Sequence, residues 1–327
     1  MSSKLKRKIF ALIKKDFEGI EDALGKNLNP YLDLVSQTAN HILFSGGKRL
    51  RPLLMVLSAR ICGYEWTGDK SFSIMVEYLH AATLLHDDLV DDAALRRGKP
   101  VAHSISGNST AVLVGDFLLA RALSIAAQTE KIKIIKVIAR ITEEMSQGEI
   151  HQLIRKGHLD LSEKEYMEVI RRKTAVLIEG ACRVGTLIAD ATEKEETALA
   201  DYGLNMGIAF QMADDLLDYT SDTKSLGKEV GTDLKEGKLT LPVIYALKRA
   251  GSKDKSLMES IIKNKDFSVR EFEMFKELLK KYQGIAYTEN MAAEYIEKAT
   301  EGLCFFKDSK TKKILLMLAD YALARKA

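Results

Sequence analysis

Apolar residues recur at spacings of three and four along almost the whole chain, and β-branched alternation never persists. The pattern predicts helices throughout. An amphipathic helix over 5–24 comes first, followed by one over 30–44 that Ser45-Gly46-Gly47 breaks, and a third over 48–63. A helix from about residue 71 runs into the acidic stretch His86-Asp87-Asp88-Leu89-Val90-Asp91-Asp92, and a polar loop over 93–100 follows. Further helices are expected near 109–128 and 131–156. Ser162 with Glu165 forms a capping-box signature that opens a helix through Arg171-Arg172-Lys173-Thr174 to about residue 189. The next helix, from about residue 195, carries Gln211-Met212-Ala213-Asp214-Asp215-Leu216-Leu217-Asp218. A Gly- and Lys-rich loop over 221–238 leads to shorter helices without an interpretable motif. With no linker-like composition shift and no short repeat, residues 1–327 read as one all-α domain, a bundle whose facing helices wrap a cavity.

Composition changes this picture little. The chain is 46% hydrophobic and 29% charged with a net charge of +3, too small and too mixed an excess to argue for nucleic acid. Only four prolines punctuate it, which permits long helices. Cys62, Cys182 and Cys304 lack metal-ligand spacing and read as inert thiols of a reducing, cytoplasmic compartment. Lys14-Lys15-Asp16 interrupts the basic N-terminus before a signal-like apolar core forms, and no apolar run approaches the ~20 residues of a membrane span. No transmembrane segment is therefore expected. The lysines of the first helix suit transient membrane contact.

The candidate chemistry lies in two acidic cassettes. At ~100° per residue, His80, Asp87 and Asp91 share one narrow helical stripe. Like charges four apart on a helix repel, each pair costing roughly 0.2–0.5 kcal/mol, and the dipole at a helix C-terminus disfavours anions. A solvated acidic terminus is the plain explanation for one such cluster. A second Asp-Asp-x-x-Asp at 214–218, with Gln211 on the same face, argues against two accidental surfaces. Hard oxygen ligands without Cys or His spacing point to Mg²⁺, which takes one or two carboxylates and completes its shell with water and phosphate. Two facing cassettes thus suggest a metal-bridged diphosphate.

Basic groups stand beside them: Lys48 and Arg51 at a helix start, Arg96-Arg97 after the first cassette, Lys173 in a helix, and Lys228 and Lys238 after the second cassette. Any one of the 49 lysines and arginines is ordinarily a solvated charge, so their weight is joint. A lone His such as His80 is more often a satisfied polar residue, but its stripe is shared with Asp87 and Asp91. His86 lies one residue off that stripe and reads as structural.

Together these residues resemble the trans-isoprenyl diphosphate synthases, the polyprenyl synthetase family. The match runs in order from Gly46-Gly47-Lys48-Arg49-Leu50-Arg51-Pro52 through Leu84-Leu85-His86-Asp87-Asp88-Leu89-Val90-Asp91, Arg96-Arg97-Gly98, Gly115-Asp116-Phe117, Lys173-Thr174, Phe210-Gln211 and Asp214-Asp215-Leu216-Leu217-Asp218 to Gly227-Lys228 and Gly237-Lys238. The resemblance implies an isoprenoid-synthase bundle of long antiparallel helices around a deep apolar cavity, usually a homodimer. It implies that Asp87, Asp91 and Asp214, supported by Asp88, Asp215 and Asp218, hold Mg²⁺ on an allylic diphosphate. Arg96, Lys173 and Lys228 would contact that diphosphate, Thr174 and Gln211 would line the reacting centre, and Lys48, Arg51, His80 and Arg97 would hold isopentenyl diphosphate. Ala82 and Thr83, five and four residues before Asp87, stand where bulky aromatics act as a floor in short-chain family members. Their small size implies a long product, about octaprenyl, with Ile125, Ile135 and Ile138 as deeper floor candidates.

Other classes fit less of the chain. A di-iron bundle would need a second Glu-x-x-His besides Glu77-x-x-His80. A phosphohydrolase using His86-Asp87 leaves the second cassette and Arg96-Arg97 idle. A terpene cyclase or head-to-head condensing enzyme does not need Lys48, Arg51 and Arg97 for a second diphosphate. A short-chain synthase, or one subunit of a heteromeric synthase, keeps all the motifs and stays open.

Overall fold

The computed structural model describes residues 2–65, 70–220, 231–264 and 266–324. The described residues are almost wholly helical, as the periodicity predicts. The helices are α1 (Ser2–Lys26), α2 (Asp33–Leu43), α3 (Leu50–Ile61), α4 (Met75–Val90), α5 (Ala102–Ser106), α6 (Asn108–Gln128), α7 (Ile132–Arg155), α8 (Glu163–Ile170), α9 (Val176–Ile188) and α10 (Glu193–Thr220). Then come α11 (Thr232–Lys235), α12 (Leu241–Arg249), α13 (Ser252–Lys263), α14 (Val269–Lys281), α15 (Gly284–Leu303) and α16 (Lys310–Leu323). At the centre, α10 packs along α9 and α15, α9 along α3, and α4 along α6. One continuous apolar core joins them, with Tyr78, Leu54, Met55, Leu79 and Tyr202 fully buried within it.

Several boundaries differ from the sequence expectation for local reasons. Residues 71–74 are turns, so the acidic helix starts at Met75. The loop after it contains a two-residue hairpin, β1 (Leu95–Arg96) with β2 (Lys99–Pro100), tightened by Arg97 and Gly98 in left-handed conformations. The helix opened by the Ser162–Glu165 capping box, whose two reciprocal bonds are formed, is interrupted by a π-helical turn at Arg171–Ala175. The expectation that no apolar run is long enough for a membrane span is also corrected. By length and composition α6 qualifies, with 21 residues and a mean hydropathy of 1.7, although only 39% of that window is buried inside the chain. The miss arose because Asp116 and Arg121 interrupt the run in the sequence. In the fold the Arg121 guanidinium donates to the Asn27 carbonyl at 2.5 Å, which ties α6 to the end of α1.

The π turn is wedged between α7 and α10. A Cβ on Gly148 would sit 2.8 Å from the Lys173 nitrogen, and one on Gly207 would sit 2.7 Å from the Ala175 Cα. Glycine at both positions lets the backbone of the turn approach both neighbours, and widened turns of this kind recur at functional sites. We predict that Gly148→Ala, despite gaining ~1 kcal/mol of helix propensity, lowers net stability by roughly 1–3 kcal/mol by forcing this seam apart. Urea unfolding with an activity assay on the same sample checks it; unchanged stability and rate would show that the seam has slack.

Candidate active site

The first cassette closes α4, and its three carboxylates have three different fates. Asp88 is 2% exposed and takes the Arg96 guanidinium, with Nε at 2.8 and 2.9 Å from its two oxygens and Nη2 at 2.6 Å. The hairpin after α4 folds Arg96 back onto that carboxylate. Asp91 pairs with Lys238 at 2.8 Å and Lys156 at 3.4 Å. Burial opposes its ionisation, but these ammonium groups and Lys173 outweigh it and hold Asp91 below the usual carboxylate value. For Asp87 burial dominates, only partly offset by Lys173 and Arg96 and aided by Glu149 and Asp91, and its pKa rises to about 6.

The second cassette, on the last turns of α10, is divided in the same way. Asp215 is buried, accepting from the Tyr166 hydroxyl at 2.6 Å and the Gln211 amide at 2.7 Å. The Thr174 hydroxyl donates to Gln211 at 2.8 Å, so the π turn and α10 share one hydrogen-bonded row. Asp218 accepts three backbone N–H groups, from Gly231, Thr232 and Asp233, each at 3.1 Å, and so caps α11. Asp214 is exposed. Lys173 reaches across to α7, donating to Gln152 at 2.7 Å and pairing with Glu149 at 2.5 Å.

Lys238 joins the two cassettes. It pairs with Asp91 and also lines a cavity of about 140 Å³ together with Lys173, Thr174, Gln211 and Asp215. Of the cassette carboxylates, Asp215 lines that cavity and Asp91 pairs with two of its lining residues, Lys238 and Lys156. They do not form a preformed cage: among the described residues no three His, Cys, Asp or Glu side chains converge to hold an ion. Asp88, Asp215 and Asp218 are engaged by protein donors, and Asp91 by two lysines. Asp87 and Asp91 still fit a hard dication. Both offer oxygen ligands, and burial without a hydrogen bond from a described residue has pushed Asp87 up to about 6.

The basic groups fall into two sets. Lys48, Arg51, His80 and Arg97 lie where α3 starts beside α4. His80 sits among Arg51, Arg97, Arg96 and Arg49, and burial together with these four charges drives its pKa well below 6.5, so the ring is neutral. Arg51 feels both Glu77 and Asp214, and its Nε is buried without a hydrogen-bond partner among the described residues. The Lys48 ammonium lies 5.2 Å from the Tyr321 ring centroid of α16. Lys228 lies outside the described residues.

Ala82, Ile125 and Ile138 are buried in the common core, with Ile135 and Thr83 half-buried beside it. The Thr83 hydroxyl donates to the His80 carbonyl, which satisfies its polar atom within α4. His86 bridges the α4–α6 seam, 3.2 Å from the Val112 carbonyl and 3.5 Å from Asp116. Sequence reading passed over Glu149, Gln152, Lys156 and Tyr166. The first three lie at offsets of three and seven along α7, a polar stripe that looks solvent-facing until the π turn is packed against it. We predict that Tyr166→Phe, which leaves the buried Asp215 one donor short, costs ~1–3 kcal/mol in urea unfolding. Stability equal to wild type would show that water replaces the hydroxyl.

Comparison with known proteins agrees with this geometry. Residues 32–279 match the polyprenyl synthetase family. The chain is 37% identical to an octaprenyl diphosphate synthase of Haemophilus influenzae, over 94% of this chain and 93% of that one. It is 36% identical to the octaprenyl diphosphate synthase of Escherichia coli, over 97% and 98%. A polyprenyl synthase from Caulobacter crescentus, solved with calcium and isoprenyl diphosphate, superposes with a TM-score of 0.92 at 38% identity over 98% of each chain. A nonaprenyl synthase of Rhodobacter capsulatus at 34% identity and a short chain synthase of Methanothermobacter thermautotrophicus at 32% are similar too, so likeness alone leaves product length open. With its matching motifs, fold and relatives, the chain belongs to the polyprenyl synthetase family and is a prenyltransferase.

Proposed function

We propose that this enzyme, working as one all-α domain, uses Mg²⁺ to condense isopentenyl diphosphate head-to-tail with an allylic diphosphate, building an all-trans chain of about octaprenyl length. The observation that carries the reading is Lys238, which pairs with Asp91 of one cassette and lines one cavity with Gln211 and Asp215 of the other. Asp87, Asp91 and Asp214 are assigned as the metal ligands, with Asp88, Asp215 and Asp218 holding the two helix ends in place. Bound Mg²⁺ would neutralise charge on the departing diphosphate. The calcium in the Caulobacter structure supports a divalent cation here.

Arg96, Lys173 and Lys228 are assigned to the allylic diphosphate, with Lys238 added from the geometry. Two unit charges ~4 Å apart interact by about 4 kcal/mol at an effective dielectric of 20, so several such contacts lower the barrier to C–O cleavage substantially. Glu149 and Gln152 hold Lys173 ready until substrate takes its ammonium. Lys48, Arg51, neutral His80 and Arg97 are assigned to isopentenyl diphosphate. Its double bond attacks the allylic C1, the C–O bond breaks, and the new C–C bond leaves a tertiary cation on the former isopentenyl unit. The adjacent carbon then loses a proton, for which the departed diphosphate is the base that the family resemblance implies. The Thr174 hydroxyl and Gln211 amide line the reacting centre, and apolar walls exclude water.

Ala82 and Thr83 favour a long product because neither blocks the α4 wall, and Ile125, Ile135 and Ile138 stand deeper as the floor. The similar octaprenyl synthases support this length. A homodimer is proposed through α6, whose Val112, Leu113 and Leu123 are 41%, 66% and 39% exposed. The exposed lysines of α1, beside a half-exposed Phe10, suit transient contact with a membrane as product leaves. The three free thiols are in keeping with the cytoplasm. A heteromeric arrangement is the second reading, favoured by 33% identity to component 2 of a Bacillus subtilis heptaprenyl diphosphate synthase.

Incubating the purified chain with farnesyl and isopentenyl diphosphates and Mg²⁺ should yield products up to about octaprenyl, and none with a chelator. A fifteen- or twenty-carbon end product would refute the length, and no product from the chain alone would favour the heteromer. Ala82→Phe, checked for folding by its melting temperature, should shorten the ladder. In sedimentation velocity, wild type should run as a dimer and Leu113→Arg as a monomer; identical behaviour would place the interface elsewhere.

A further inference from the structure

Between α2 and α3 the chain turns through Gly46 and Gly47 and enters α3 at Arg49, which adopts a left-handed conformation (φ 46, ψ 37). Non-glycine residues are uncommon there, and such a conformation persists only where surrounding contacts over-determine it. Those contacts are present. Arg49 is 4% exposed, and each guanidinium nitrogen has an acceptor: Nε donates to Glu21 at 2.5 Å, Nη1 to Glu77 at 2.9 Å and Nη2 to the Leu43 carbonyl at 2.6 Å. One side chain thus ties the start of α3 to α1, to α4 and to the end of α2. From the opposite side Arg97 donates to the Gly46 carbonyl. A Cβ at Gly47 would lie 3.1 Å from Arg49 Nη1 and 3.5 Å from Arg97 Nη1, so the turn is gripped between two guanidinium groups.

The grip sets neighbouring residues. Lys48 precedes Arg49 and Arg51 follows two residues later, while Glu77 stands one turn before His80 on α4. The Arg49–Glu77 pair therefore fixes Lys48 and Arg51 relative to His80. Arg49 itself is too buried and too fully bonded to hold an anion. A lysine could not replace it, because one ammonium does not span three acceptors held in a planar fork. A buried ion pair is seldom retained for net stability, since desolvation cancels much of its attraction, which leaves geometric specificity as its use.

We infer that Arg49, clamped by Glu77, is a positioning residue for the isopentenyl diphosphate subsite, setting the register of Lys48 and Arg51 against His80. This rests on the assignment of those three residues to isopentenyl diphosphate. The test is steady-state kinetics of Arg49→Lys and Glu77→Gln, varying isopentenyl and farnesyl diphosphates separately, with melting temperatures alongside. The KM for isopentenyl diphosphate should rise at least tenfold in both variants while that for farnesyl diphosphate stays within about twofold. Equal rises in both KM values, or a lower melting temperature with both KM values unchanged, would reduce the network to a structural brace and overturn the inference. If Arg49→Lys does not fold, the near-isosteric Glu77→Gln decides by the same criteria. Failure of the wild type to consume isopentenyl diphosphate with any primer would instead overturn the proposed function.

Discussion

Neutralising carboxylates at two helix ends is the constraint on which the rest of this structure depends. The aspartates of α4 sit at the terminus whose dipole repels them, and those of α10 crowd the same face within two turns. The fold answers each charge separately. Arg96 folds back on Asp88, three backbone N–H groups cap Asp218, a tyrosine and an amide satisfy Asp215, and two lysines hold Asp91. Burial is not fully offset at Asp87 or at Asp215, and it pushes their carboxyls up to about 6 and about 7. An active site assembled this way carries unspent electrostatic demand at the place where a cation and a diphosphate would meet it.

The aspartates with protein partners do mechanical work that the exposed ones depend on. Asp88 anchors the hairpin bearing Arg96 and Arg97, and Asp218 anchors the segment that brings Lys238 across to Asp91. Asp88 and Asp218 thus shape the site through the segments that they anchor. Close backbone approach performs a similar service for Lys173 and Thr174. Glycines on α7 and α10 admit a π turn between them, and the widened turn carries both side chains into the cleft.

A large part of this was legible in the sequence because it depends on local rules. The spacing of three and four marked the helices, and the capping box at Ser162 located a helix start that the structure reproduces. The first cassette stood out because four aspartates within six residues are unfavourable on a bare helix, and the second because it repeats the Asp-Asp-x-x-Asp spacing. The hairpin at 95–100, the π turn and the start of α4 were not legible. Each depends on contacts with residues distant along the chain, and two-residue strands or a single wide turn leave almost no periodic trace. Glu149, Gln152 and Lys156 escaped for the same reason, since a polar stripe reads alike whether it meets water or a neighbouring helix.

The sequence by itself determined the helical class, the two acidic clusters and the family resemblance. These follow from residue type and spacing within a few turns, where backbone geometry fixes which side chains share a face. Only the tertiary structure decided which protein donors meet Asp88 and Asp215, that Arg49 is spent on Glu21 and Glu77, and that α6 keeps an apolar face uncovered within the chain. Such allocations are set by which partner lies within a hydrogen bond's reach once the helices have packed, and that distance is written in no local stretch of the chain.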